Sequence, residues 1–302
     1  MPVWMVTGGS GFLGRNFLDR GKPEGVEVIA IGRSHPSGVA FLPADLDDPR
    51  SVDRAVAEIA PDVVFHLAGR TPPGSPEDFY RSNTMGTVHL LDALRDSVRA
   101  CRVVLAGSAA ELGPVPVEDL PVAEDYPCKP ADAYGLSKWL ATSAGLAARG
   151  SLEVIVARIF NPIGPRLPES QALGRFAGML GLGTGPIQLT VGDLGARRDF
   201  VDVRDVAGAL MALADRGRPG QVYHVGTGRS QRVGDGLDRL IALSGREVLV
   251  EVDPALARRR GPGDSRADVR RIAEDTGWSA AIPWEQSLYD LWHEAAGMSG
   301  RA

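Results

Sequence analysis

Cysteine is scarce in this 302-residue chain, with Cys101 and Cys128 the only two. Two thiols cannot build a disulfide framework, so a reducing compartment is expected. Basic residues are also outnumbered. The 33 Lys and Arg against 38 Asp and Glu leave a net charge of −5 with histidines neutral. That balance argues against a nucleic-acid partner held mainly by phosphate neutralisation. No apolar run is long enough to span a bilayer, and no basic region leads into an apolar core at the N-terminus. These absences predict a cytoplasmic protein with no membrane partner. His and Cys do not recur at metal-ligand spacing, so no metal site is expected, and His66 is expected to be a packed strand residue. What remains is 44% hydrophobic and 24% charged, the profile of a soluble globular protein.

The most informative stretch is Val3-Trp4-Met5-Val6-Thr7-Gly8-Gly9-Ser10-Gly11-Phe12-Leu13-Gly14. A strand-type run ends in glycines at 8, 11 and 14, and a helical pattern follows. Such a loop brings backbone closer to a phosphate pair than any β-carbon allows. Its amides then join a helix N-terminus, where the dipole favours a pyrophosphate. The position of the loop, after a strand and before a helix, predicts a dinucleotide site.

Strands and helices alternate from there. Val26–Ile31, Asp62–Leu67, Arg102–Ala106 and Glu153–Ile159 read as strands. Arg50–Ala60, Asn83–Arg95 and Tyr134–Ala148 read as helices; Val52, Ala55, Val56 and Ile59 fall on one face of the first. Buried strands separated by helices predict an α/β fold, a doubly wound parallel sheet with ligands at the strands' carboxyl ends. After Asn161 glycine and proline become dense. Ile187–Val191 and Glu247–Val252 read as short strands, Arg204–Asp215 as a helix, and Gln221–Val225 as a strand returning to the sheet. We therefore expect a dinucleotide-binding domain over 1–160, with returning segments near 198–228, and a smaller, mainly substrate-binding lobe over 161–302. Arg258-Arg259-Arg260 is the one tight basic run, either a solvated loop or an anion contact.

Tyr134 and Lys138 lie four apart, on one helix face. A phenol is a poor acid or base near neutrality, and a neighbouring ammonium is expected to lower its pKa. Tyr134 could then give or take a proton at a carbinol or carbonyl oxygen. Ser108, ending the fourth strand at the carboxyl edge, could hold the same oxygen.

Taken jointly, six stretches resemble the extended short-chain dehydrogenase/reductases, the nucleotide-sugar epimerase/dehydratase/reductase group. They are Thr7–Gly14, His66–Gly69, Asn83–Thr87, Gly107–Ala109, Tyr134–Lys138 and Arg158–Pro165. Val191–Asp205 and Val225–Gly228 resemble the GDP-mannose branch, its GDP-6-deoxy-mannose (GDP-4-keto-6-deoxy-mannose) reductases in particular. The resemblance implies a Rossmann fold and a Ser108/Tyr134/Lys138 triad. It implies cofactor contacts from Gly8, Ser10, Gly11, Phe12, Leu13 and Gly14, from Asp45 and Leu46, from Leu67, Ala68, Gly69 and Asn83, and from Tyr134 and Lys138. It implies phosphate contacts from Asn161 and Arg198. Arg175 is expected to reach the nucleotide from the second lobe, and one of Arg258, Arg259 and Arg260, taken as Arg260, to face the phosphates. Arg198 could instead bridge to Asp199 or Asp202, and Asp45 could instead cap a helix. Arg197 offers a second cation. The family's R-P-x-D element reads Arg260-Gly261-Pro262-Gly263-Asp264 here, and Asp268 follows after a shorter gap than the family's.

Two departures narrow the chemistry. A dehydratase of this family carries a Glu two residues after the triad hydroxyl, where this chain has Ala110. Glu111 is adjacent but, on a strand extension, is expected to face away. That leaves ketone reduction or C4 epimerisation. The second strand ends Ile31-Gly32-Arg33-Ser34, with no carboxylate for an adenosine 2′-hydroxyl. Arg33 and Ser34 suit a 2′-phosphate, so NADP(H) is favoured and NAD is the alternative. A non-catalytic dinucleotide binder is the third reading, and an intact triad speaks against it. Leu90, Leu94, Trp139 and Leu140 offer apolar surface for a homodimer, as the family often forms, or for packing on the sheet.

Overall fold

The structure, a computed structural model, describes residues 1–96, 100–148, 152–257 and 263–299. The first half runs β1 (Val3–Thr7), α1 (Phe12–Asp19), β2 (Glu27–Gly32), β3 (Ala40–Pro43), α2 (Pro49–Ile59), β4 (Val63–His66) and α3 (Pro76–Phe79). A π-helical turn, Tyr80–Met85, leads from α3 into α4 (Gly86–Asp96), followed by β5 (Cys101–Ser108), α5 (Ala133–Ala147) and β6 (Leu152–Ile159). The second half adds β7 (Asn161–Ile163), α6 (Ala172–Gly181), β8 (Ile187–Val191), β9 (Arg197–Arg198), β10 (Phe200–Asp202) and α7 (Val203–Arg216). It ends with β11 (Val222–Val225), β12 (Gln231–Arg232), α8 (Val233–Ser244), β13 (Val248–Val252), α9 (Pro254–Ala257), α10 (Arg270–Thr276) and α11 (Trp284–Ser299).

Among the described residues, seven strands form one parallel sheet in the order β3-β2-β1-β4-β5-β6-β11. Successive residues on a strand face opposite sides, and the sequence uses both. Val6, Phe65, Val104 and Ile155 enter a core closed by Phe17 of α1 and by Val206, Leu210 and Leu213 of α7. Their neighbours Met5, Val64, Val103 and Val154 enter a second core closed by Val52, Val56 and Ile59 of α2 and by Leu90 and Leu94 of α4. Burial of each large aliphatic or aromatic side chain is worth about 1.5–3 kcal/mol. Leu90 and Leu94 are 0% exposed, so they are core residues and not partner surface. Trp139 and Leu140 remain exposed, with Met85.

Chain order runs outward from β1 through β2 to β3, then resumes on the other side at β4. The β1/β4 boundary is thus the switch point, where a crevice opens at the carboxyl ends. β11 joins the sheet beside β6, pairing Val225 with Ile159. Most of the remaining chain gathers around a third core, in which Leu173, Phe176, Leu189, Val191, Leu237 and Leu288 are buried. There β8 pairs in parallel with β13.

Candidate active site

The glycine loop closes against the loop after β4. Gly8 has φ +72°, and a β-carbon there would sit 2.6 Å from the Ala68 nitrogen. One on Gly14 would sit 2.1 Å from the Gly8 oxygen. Gly11 starts α1 with no side chain capping the helix, and the first turn carries no acidic residue. A cradle that β-carbons would fill, at a helix start whose orphan amides lack a side-chain cap, fits a pyrophosphate. Ser10, Phe12 and Leu13 belong to the same turn, and Arg15 Nε donates to the Ser10 carbonyl at 2.7 Å.

Beneath the loop, Thr7 Oγ1 accepts from the Ala68 amide (3.1 Å) and meets His66 Nδ1 (2.8 Å). His66 Nε2 meets Thr87 Oγ1 (2.9 Å), whose proton goes to the Asn83 carbonyl (2.6 Å). Threonine hydroxyls can satisfy both ring nitrogens of a neutral imidazole in this way. Burial, with the charge of Lys138 as a second cause, lowers the His66 pKa to about 3. His66 is therefore packed, as expected. Asn83 accepts from the Arg70 amide (2.7 Å) and donates to the Arg70 carbonyl (3.0 Å) and Ser137 Oγ (2.9 Å). Its side chain fastens the Leu67-Ala68-Gly69 loop to α5 from below.

At the adenosine end, Arg33 and Ser34 are exposed just past β2. Asp45 and Leu46 are half-buried after β3, and Asp45 Oδ1 accepts from the Asp47 amide at 3.1 Å. The cap of α2 is Asp48, which accepts from the Arg50 amide, so the capping role considered for Asp45 is corrected.

Ser108 is the last residue of β5, and its side chain lies near enough to the Tyr134 hydroxyl to act on its acidity. The approach depends on Gly135, where a β-carbon would lie 2.4 Å from the Ala110 oxygen. Asp132 caps α5 by accepting from the Gly135 amide (2.7 Å), and Phe79 packs edge-on against the Tyr134 ring. Lys138 is buried and donates to the Ala106 carbonyl (2.5 Å). The expected lowering of the phenol's pKa is overturned: burial raises it, the Ser108 side chain opposes, and the charges of Glu111 and Asp132 add to the rise. Burial also lowers the Lys138 pKa, against the pull of Glu111. Desolvation leads, no lowering by the Lys138 ammonium offsets it, and the phenol is held in its acid form.

Glu111 also departs from expectation. It lies in a short 3-10 turn, Ala109–Glu111, not on a strand extension. Ser108 Oγ accepts from the Ala110 amide while the Glu111 carboxylate accepts from the Ser108 amide, a capping box. The signal was present as Ser108-x-x-Glu111.

A cavity of about 390 Å³ lies in the second half of the chain, and Asn161, Arg175 and Arg198 all line it, with Phe176, Asp193 and Phe200. Burial lowers the Arg198 pKa, against the opposing charges of Asp193 and Asp264. Bridging to Asp199 or Asp202 is not its role. Asp199 accepts from Thr227, Gly228 and Ala267, and Asp202 binds Arg204 and Ser287. Arg197 turns away from the cavity, donating to Ser230. Asp199 was missed at the sequence level, because its partners lie 28 and 68 residues away. Arg258, Arg259 and Arg260 lie outside the described residues. Among the described residues, no group of three His, Cys, Asp or Glu is placed to hold a metal, and no helix is long and apolar enough to cross a membrane.

A Rossmann-type sheet, an uncapped glycine turn at its switch point and a Ser-Tyr-Lys set at the carboxyl edge define an enzyme of the extended short-chain dehydrogenase/reductase type. The chain belongs to the NAD dependent epimerase/dehydratase family, which matches residues 4–226. It is 32% identical over 294 residues to a GDP-6-deoxy-D-mannose reductase of Pseudomonas aeruginosa, covering 94% of this chain and 93% of the relative. The solved structure of RMD from Pseudomonas aeruginosa complexed with NADPH matches with a TM-score of 0.85 at 29% identity, covering 99% and 98% of the two chains. A Thermus thermophilus UDP-glucose 4-epimerase in complex with NAD matches with a TM-score of 0.85 at 27% identity, covering 98% and 99%.

Proposed function

We propose that the chain reduces the 4-keto group of a nucleotide-activated 6-deoxyhexose with NADPH, and that GDP-4-keto-6-deoxy-mannose is the substrate. The observation that carries this reading is an acid without a second acid/base beside it. Tyr134 is a protonated phenol beside Ser108, Ala110 has no functional group, and the Glu111 carboxylate is buried with both oxygens bonded inside the protein. Such a site can protonate an oxygen but offers no exposed carboxylate there for the C5 proton that dehydration must remove. The similarity to a GDP-6-deoxy-D-mannose reductase, and to a structure holding NADPH, supports substrate and cofactor.

When bound, the nicotinamide supplies the hydride. The Gly8–Gly14 turn would hold the pyrophosphate, Arg33 and Ser34 the 2′-phosphate, and Asp45 and Leu46 the adenine. Leu67, Ala68 and Gly69, steadied by Asn83, would flank the cofactor, and Lys138 would bind its ribose. Ser108 holds the substrate oxygen and Tyr134 gives it a proton. The Lys138 charge then stabilises the phenolate left behind. Asn161, Arg175 and Arg198 clamp the diphosphate. In this reading residues 1–160 serve the cofactor and 161–302 mainly the substrate. Met85, Trp139 and Leu140 belong to a homodimer contact, and the enzyme works in the cytoplasm.

The test mixes the protein, NADPH and the keto sugar nucleotide. The reduced-cofactor absorbance should fall in step with product, and no fall counts against reduction. The second reading, a C4 epimerase, is supported by the Thermus thermophilus similarity. It expects protein that purifies with bound NAD and turns over an NDP-hexose with no cofactor added.

A further inference from the structure

We propose that Glu111 is a positioning residue for the triad, joining Ser108, the helix of Tyr134 and Lys138, and β6 to one buried negative charge. The proposal rests on the reading of Tyr134 as proton donor. Glu111 is 0% exposed. Its Oε1 accepts from the Ser108 amide (2.7 Å) and from Thr142 Oγ1 (3.0 Å), and its Oε2 accepts from Arg158 Nε (3.0 Å). Thr142 follows Lys138 by four residues on α5, so the two share a helix face. Room for the carboxylate comes from Gly107, where a β-carbon would lie 2.7 Å from Oε1. One side chain thus grips the strand end that carries the serine and the helix that carries the other two groups.

The pair with Arg158 needs a reason beyond stability. Arg158 is 3% exposed and also donates to His224 Nε2 (3.3 Å), Cys128 Sγ (3.3 Å) and the Glu124 carbonyl (3.4 Å). Desolvating two ions offsets most of their attraction, and apolar residues of equal volume often serve stability as well. What an apolar pair cannot supply is charge. The Glu111 carboxylate raises the pKa of both Tyr134 and Lys138, which favours phenol and ammonium, the two forms that a reduction starts from. The charged and titratable groups around this centre are Asp132 capping α5, Lys138 on it, His66 of β4 facing Lys138, Arg158 of β6, Cys128 before α5, and His224 of β11 behind Arg158.

Ultraviolet difference titration isolates the Tyr134 phenol when the Tyr134→Phe protein is subtracted from its parent. In Glu111→Gln the Tyr134 midpoint should move to lower pH. Turnover of the keto sugar should drop about 10- to 100-fold through displaced groups, with NADPH affinity retained. The double variant Glu111→Gln/Arg158→Met is the arm to read if the lone buried cation unfolds the single one. With no lone buried charge left it is expected to fold, and the proposal still expects the lowered midpoint. An unmoved midpoint in either folded variant overturns the proposal and leaves Glu111 a structural partner only. A lowered Tyr134 midpoint in Glu111→Gln, with a parent protein that never reduces the keto sugar, defeats the substrate reading and not the role of Glu111.

Discussion

Arg33 stands exposed beyond β2, at the place where a carboxylate would bind a ribose 2′-hydroxyl and repel a 2′-phosphate. A guanidinium reverses that preference, and a charge-assisted bond of this kind is worth about 1.5–3 kcal/mol. Arg33→Ala should therefore weaken NADPH about 10- to 100-fold in a fluorescence titration, while NADH affinity stays within about two-fold. Equal losses for both cofactors would place Arg33 away from the 2′-phosphate. At this scale Ser108, Tyr134 and Lys138 were singled out by residue type, position and the family resemblance together. The acidity of Tyr134 was not. Its sign depends on how much water the fold removes, and Phe79 and the Ser108–Glu111 turn, which help to enclose the ring, come from other segments.

The start of α1 shows how an element becomes a site. Its first-turn amides have no side-chain cap, and in the proposed function the cofactor's pyrophosphate takes the place of one. The three glycines do not carry equal weight. A β-carbon on Gly14 meets backbone at 2.1 Å and 2.6 Å, whereas on Gly11 the single neighbour is at 3.3 Å. Gly14→Ala should cost about 1–3 kcal/mol in stability and weaken NADPH at least about ten-fold. Gly11→Ala should cost less in both, as read by thermal melts and cofactor titration. If the two variants behave alike, the loop is looser than its contacts imply. Helix faces such as Val52, Ala55, Val56 and Ile59 were legible because one period repeats within one element. The turn at Ala109–Glu111 and the π-turn at Tyr80–Met85 were not read, since each is a short departure superimposed on a longer pattern. The first had a readable capping-box signature, and a strand reading masked it.

Across the whole molecule, the pairing of β8 with β13 joins Ile187 to Val248, and no local period announces such a match. The sheet itself was legible because alternating β and α segments admit few arrangements. That sheet also sets the acid stability. His66 on β4 and His224 on β11 are buried neutral, each with a folded pKa of about 3 against an ordinary 6.5, burial being the first cause in both. Between those values the unfolded chain binds protons that the folded chain refuses, so their stabilising share is full above pH 6.5 and is lost as pH falls toward 3. Each histidine contributes a slope of about 1.4 kcal/mol per pH unit well inside that window. The raised carboxyls of Glu124 and Asp199 work in the opposite sense, because as pH falls they take up protons in the folded state before the unfolded one. Stability from urea unfolding should thus hold between pH 8 and 7 and decline from 6.5 to 5. Replacing His66 by Gln should shallow the decline by up to its own share. A decline that His66→Gln leaves unchanged would mean that the Thr7 and Thr87 hydroxyls let His66 charge in place, and the network below the glycine loop would then be a proton acceptor instead of a fixed support.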